Sequence, residues 1–172
     1  DPFSLIGSWA VYSPSRGWAI KPNITNEVFF FDNKILNTNS KGIRGKTEYR
    51  YEKNLNKTRI LILGDSMTFG YDVSDTETYP YYLQQMLPNA EIINFGVNGY
   101  GHDQMLIYLL EEGLKYHPDI ILLGFGWWDK IRNLLEFFSA AKPKFSWDRD
   151  QLALCNSPVP SPQWFLEHEF LR

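Results

Sequence analysis

Three apolar runs mark the middle of the chain: "TRILILGD" (58–65), "EIINFG" (91–96) and "DIILLGFG" (119–126). None alternates cleanly between apolar and polar positions, and each gives way to glycine. That pattern predicts parallel strands buried on both faces, because covering helices leave such strands no solvent side. The segments between them carry helical spacing. "TYPYYLQQML" (78–87) opens on Thr78 as an N-cap with Pro80 in its first turn, and Pro88 closes it. "HDQMLIYLLEEGLKYH" (102–117) sets Met105, Leu106, Leu109, Leu110 and Leu114 on one stripe, and Pro118 stops it. Strand, helix, strand, helix, strand predicts an α/β fold with right-handed crossovers and a three-layer α/β/α sandwich. Ligands of such sheets bind outside the carboxyl ends of the strands.

The flanks read differently. Residues 1–57 are rich in Asn, Ser, Gly, Pro and Lys, with "PNITN" and "NTNSKGIRG" as turn clusters and "EVFFFD" (27–32) as a short strand. They predict an N-terminal extension of loops and short strands packed on a core domain of residues 58–172. After Asp129, "KIRNLLEFFSAA" (130–141) is helix-like, "FSWDRDQLAL" predicts a hairpin turning near Asp148 to Asp150, and "SPVPSP" an extended polyproline II loop. The closing "FLEHEFLR" is amphipathic. Residues 130–172 together form a candidate lid or substrate wall.

Composition narrows the function classes. An apolar fraction of 44% and an aromatic fraction of 16% over 172 residues fit a compact domain rather than a disordered one. Only 17 Lys and Arg face 20 Asp and Glu, and no basic run stands out, so nucleic acid is not the expected partner. Cys155 is the only cysteine, which rules out an intrachain disulfide and a C-x-x-C metal site. No G-x-G-x-x-G follows the first strand and no P-loop occurs, so the expectation is neither cofactor nor metal. No apolar run approaches the roughly 18 residues of a membrane span. The compartment stays open between cytoplasm and export, and the oligomeric state is not encoded in any readable pattern.

Chemistry concentrates where the three runs end. A serine hydroxyl becomes nucleophilic only when a base takes its proton, and the oxyanion it creates needs aimed hydrogen-bond donors. Gly64-Asp65-Ser66 sets such a hydroxyl at the end of a strand, beside free backbone N–H groups, although a turn serine that merely stops the strand has the same sequence. The second turn, Asn94 to Gly101, is rich in glycine, which lets a backbone N–H approach a ligand closely. The third turn runs from Gly124 to Asp129 and carries Trp127 and Trp128.

In this order and spacing the turns resemble the blocks of the GDSL, or SGNH, hydrolases, a flavodoxin-like superfamily of serine esterases and acyltransferases. The resemblance covers roughly residues 58–133. It implies Ser66 as nucleophile, with the Ser66 and Gly99 N–H groups as oxyanion donors and Asp65, Asn98, Asp129 and His102 as site neighbours. "RGWAIKPN" (16–23) and "NTNSKGIRG" (37–45) are similar to leaders ahead of the first block in members of the family. The third block of the family is G-x-N-D, and here Trp128 stands in the Asn position before Asp129. Its indole N–H can replace the amide donor; a two-donor hole or a donation from Asn133 are the alternatives. The family's last block, D-x-x-H, supplies the base and the acid that orients it, and it does not occur in this sequence. Of the histidines, His102 reads as a helix-opening residue, His117 as a partner of a helix C-terminus and His168 as part of a surface helix. The resemblance then implies that the strands and helix carrying that Asp and His lie beyond Arg172.

The resulting expectation is an ester hydrolase acting on a small acyl ester, such as an acetylated carbohydrate, with Trp127, Trp128, Trp147 and Trp164 as stacking surfaces. The other readings are a carbohydrate O-acyltransferase, a binding module that kept the fold and lost the chemistry, and a flavin or nucleotide binder.

Overall fold

The structure, a computed structural model, describes residues 9–28 and 33–168. Its centre is a three-stranded parallel sheet in the order β6-β5-β7, made of β5 (Thr58–Gly64), β6 (Ala90–Gly96) and β7 (Ile120–Leu123). The register pairs Gly64 with Gly96 and Leu63 with Leu123, so all three carboxyl ends lie at one end of the sheet. The fold is mixed α/β, with helices flanking this sheet. β5 and β6 are buried almost throughout, as continuous apolar runs predict.

β7 departs from that expectation. It is four residues long, and Ile120, Ile121, Leu122 and Leu123 are 40–52% exposed. The cause is position: β7 pairs only with β5, and its outer edge has no strand beside it among the described residues.

The helices follow their boundary signals more closely than their predicted faces. α1 (Ser66–Phe69) is a single turn capped by the Asp65 side chain and ended by Gly70 in the left-handed conformation. α2 (Tyr79–Met86) begins at Thr78, whose hydroxyl accepts from Tyr81 N–H at 3.3 Å. α3 (His102–Glu111) gives way to a 3₁₀ turn over Gly113–Tyr116. Its buried residues are Asp103, Gln104, Met105, Ile107 and Tyr108, whereas Leu106, Leu110 and Leu114 of the predicted stripe are exposed. The N-terminal segment accounts for part of that rotation: Gln104 Nε2 donates to Arg16 O at 2.7 Å, and the Arg16 guanidinium lies over the Tyr108 ring.

That segment contributes two small antiparallel pairs, β1 (Ala10–Ser13) with β2 (Gly17–Ile20) and β3 (Glu27–Val28) with β4 (Ile35–Leu36). The predicted strand over 27–32 is described only at Glu27 and Val28; residues 29–32 lie outside the described residues. Trp9, Trp18, Ile20, Ile24, Leu36 and Ile43 bury into one cluster with Leu61, Phe95 and Met105. The first part of the chain therefore shares a core with the sheet.

The predicted helix over 130–141 is instead one turn, α4 (Asp129–Arg132), followed by a small hairpin of β8 (Phe137–Phe138) and β9 (Ala140–Ala141). Lys142 explains the early stop. Its fully buried ammonium donates to the carbonyls of Arg132 and Leu135 and pairs with Asp103, so carbonyls at the end of α4 are satisfied by a side chain. β10 (Lys144–Asp148) and β11 (Gln151–Cys155) form the predicted hairpin, turning at Arg149 and Asp150 with φ of 45° and 64°. Two successive positive φ values are what a two-residue hairpin loop requires. α5 (Pro162–Glu167) closes the described chain, and the last residues of "FLEHEFLR" lie outside it.

Candidate active site

Ser66 is the first residue of α1, immediately past the carboxyl end of the central strand β5. A residue there has no intrahelical carbonyl for its N–H. Ser66 is half-buried, and its hydroxyl has no hydrogen-bond partner among the described residues. α1 is held at both ends. At its start Asp65 Oδ1 accepts from Met67 N–H at 2.9 Å. At its finish the buried Arg44 guanidinium donates to Phe69 O at 2.9 Å and also to Gly70 O, while pairing with Asp75. Asn94 on β6 donates to Thr68 O at 2.9 Å, which ties the short helix to the neighbouring strand.

Gly99 lies in the turn after β6, with φ +81°. A Cβ there would stand 3.3 Å from Trp18 Cζ2 and 3.6 Å from Phe138 Cε1, so the turn is both left-handed and closely packed. Trp18 brackets it: the indole donates to Asn98 O at 2.9 Å, and the Trp18 carbonyl accepts from Tyr100 Oη at 2.5 Å. Asn98 and Gly99 are partly exposed.

The third turn brings Trp128, Asp129, Arg132 and Asn133. The Trp128 indole N–H donates to Asp65 Oδ2 at 2.6 Å, so its single donor is engaged by the carboxylate next to Ser66. Arg132 Nη1 donates to Asp65 Oδ2 at 2.8 Å, to Asp129 Oδ1 at 2.8 Å and to Tyr100 O at 3.1 Å. Asp129 has no exposed surface and also accepts from Gly126 N–H at 3.0 Å. Burial pushes its carboxyl above the ordinary value, and the charge of Asp65 adds to that; Gly126 N–H, Arg132 and His102 act against it.

His102 opens α3 and stacks on Phe125 with ring centroids 5.1 Å apart. Its Nδ1 lies 3.1 Å from the Asn133 amide nitrogen, which can only donate. With Asn133 Oδ1 assigned towards Asp103 N–H, Nδ1 is the acceptor and the ring proton sits on Nε2, 3.6 Å from Asp129 Oδ2. Both ring nitrogens thus face residues other than Ser66. Asn133, the alternative oxyanion donor, is likewise turned towards His102. His117 is exposed in a left-handed cap, and His168 stacks on Trp164 and bonds its carbonyl.

Of the sequence-predicted residues, Asp65, Trp128, Asp129 and His102 are joined in one network, with Ser66 and Gly99 each one residue away from a member of it. Sequence reasoning missed Arg132, Trp18 and Arg44. The Asp129 and Arg132 pair, three apart on one helical turn, was a readable signal for the first; the other two act across long sequence separations and left none. Among the described residues no group of His, Cys, Asp or Glu side chains is gathered to hold a metal ion. Among the described residues no helix is long and apolar enough to cross a membrane. Comparison with protein-family models and with curated proteins found no match.

Proposed function

We propose that the protein is a serine ester hydrolase of the SGNH type, built on a three-layer flavodoxin-like fold and acting on a small acyl ester through an acyl-Ser66 intermediate. The observation that carries this reading is the Ser66 hydroxyl, unbonded among the described residues, at the head of α1 and past the carboxyl end of the central parallel strand. In the reaction a base takes the Oγ proton as Oγ attacks the ester carbonyl carbon, and the carbonyl electron pair moves to oxygen. The Ser66 and Gly99 N–H groups hold that oxyanion. Collapse expels the alcohol, which recovers the proton from the base, and leaves the acyl group on Oγ. Water then repeats the sequence and releases the acid; a sugar hydroxyl in place of water would make the same site an acyltransferase.

His102 Nδ1 is taken by Asn133 and its Nε2 faces Asp129 at 3.6 Å, so the reading does not assign the base to His102. Exposed Trp127, Trp147 and Trp164 support a carbohydrate ester as substrate, since indole faces stack on sugar rings. The test is hydrolysis of p-nitrophenyl acetate by the full-length gene product and by Ser66→Ala. The expected outcome is loss of the serine-dependent rate, and equal rates would remove Ser66 from the mechanism. One observation favours a second reading, a binding module with impaired chemistry: the only indole donor that could stand in for the family's Asn is spent on Asp65. A full-length protein that binds acetylated sugars without turning them over would establish it.

A further inference from the structure

We infer that Arg132 is a positioning residue: a single guanidinium sets the separation between the Ser66 and Gly99 N–H groups by tying together the turns that follow all three parallel strands. The catalytic half of this statement rests on the reading of Ser66 as nucleophile; the structural half does not.

The geometry is specific. Arg132 Nη1 reaches Asp65 in the turn after β5, Tyr100 O in the turn after β6 and Asp129 in the turn after β7, at 2.8, 3.1 and 2.8 Å. Asp65 directly precedes Ser66, and Tyr100 directly follows Gly99, so each anchor lies one residue from one of the two N–H donors. The guanidinium is itself fixed. Its side chain is 13% exposed, its Cζ lies 5.0 Å from the centroid of the Phe138 ring, and Phe138 in turn packs on Gly99. The Arg132 carbonyl is held by the buried Lys142 ammonium.

Charge neutralisation alone would ask for less. Two buried carboxylates, Asp65 and Asp129, need a cation, and a lysine could supply one. All three bonds leave one nitrogen, Nη1, which the planar guanidinium holds in a fixed direction one bond further from Cα than a lysine ammonium reaches, so a lysine on its flexible stem neutralises the pair without reproducing the bond to Tyr100 O. Backbone donors misplaced by about 1 Å cost on the order of 10²-fold in rate. Arg132→Lys therefore separates a positioning role from a neutralising one.

The experiment measures the backbone amide resonances of isotope-labelled protein together with p-nitrophenyl acetate kinetics, for wild type, Arg132→Lys and Ser66→Ala. Arg132→Lys should keep the wild-type far-ultraviolet circular dichroism, with kcat down about 10²-fold and KM within about twofold. The Ser66 and Gly99 amide resonances should both move, while those of β10 and β11 stay in place. A folded Arg132→Lys protein with both resonances and kcat unchanged overturns the inference. So does a shift confined to Ser66, because the clamp then does not reach the second turn. Should Arg132→Lys fail to fold, Arg132→Gln, neutral and able to donate from its amide, is judged by the same two resonances. Wild type and Ser66→Ala hydrolysing equally would sink the nucleophile reading, and the paired amide shift would still decide whether Arg132 holds the two turns.

Discussion

Asp129 shows how a residue can be read in two ways at once. In the sequence it is the acid that closes the turn after the third apolar run; in the fold it is a carboxylate without exposed surface, bonded by Gly126 N–H and Arg132 and facing the His102 ring. Its burial raises the folded-state pKa above the ordinary value of 3.8. A raised carboxyl pKa means that the folded state holds the proton more tightly than the unfolded chain. The stability it contributes is present below the ordinary value and is lost as pH rises through the raised one, after which the profile is flat. Asp129→Asn lacks this titration. Urea unfolding of both proteins between about pH 3.5 and pH 7 should show the stability of wild type relative to Asp129→Asn falling as pH rises across that window. A difference that grows with pH would mean that Arg132 and Gly126 N–H outweigh burial at this carboxyl.

Among the elements, α1 decides whether the Ser66 hydroxyl has a fixed place, and its closest neighbour is the end of β6. A Cβ on Gly96 would stand 2.2 Å from Phe69 N and 2.6 Å from Thr68 C, both backbone atoms that cannot swing aside. Gly96→Ala is expected to destabilise the fold by about 1–3 kcal/mol, the range of overpacked cores, and, under the proposed esterase function, to lower the serine-dependent rate beyond the effect on stability. Thermal unfolding and kcat of the variant check both parts; an unchanged melting temperature would show that α1 is free to shift. This contact also marks the limit of what local pattern encodes. β5, β6, α2 and the hairpin of β10 and β11 were legible because an apolar run, an N-cap and a turn pair are written in adjacent residues. The buried face of α3 was not, since it depends on Arg16, distant in sequence, accepting from Gln104. The short α4 was not, because its end is set by the buried ammonium of Lys142 rather than by a glycine or proline signal. The site divides the same way: Ser66, Asp65 and Gly99 stand in readable turns, whereas the bonds from Arg132 to Asp65 and from Trp18 to Asn98 cross 67 and 80 positions.

At the scale of the whole molecule the two edges of the parallel sheet are unequal. On β5, Ile60 and Ile62 belong to one buried cluster and Leu61 and Leu63 to the other, so each face of the central strand has its own apolar layer. β7 continues both layers in register, Ile120 and Leu122 beside Ile60 and Ile62, Ile121 and Leu123 beside Leu61 and Leu63. Yet all four of its side chains are substantially exposed, as are Leu110 on α3, Leu114 in the 3₁₀ turn after it and Met86 on α2. Parallel strands ordinarily have both faces covered, and an exposed apolar edge strand is a template for unwanted pairing. The 172-residue chain should therefore bind anilinonaphthalene sulfonate and associate as its concentration rises. Replacing one side chain on each face, Leu122→Lys with Leu123→Lys, interrupts both layers and sets charge on the edge. That double variant should lose most of the dye fluorescence and sediment as a single small species, with the β5 and β6 amides still protected from exchange. If dye binding and sedimentation are the same with and without the lysines, the open edge of β7 is not the surface that drives association.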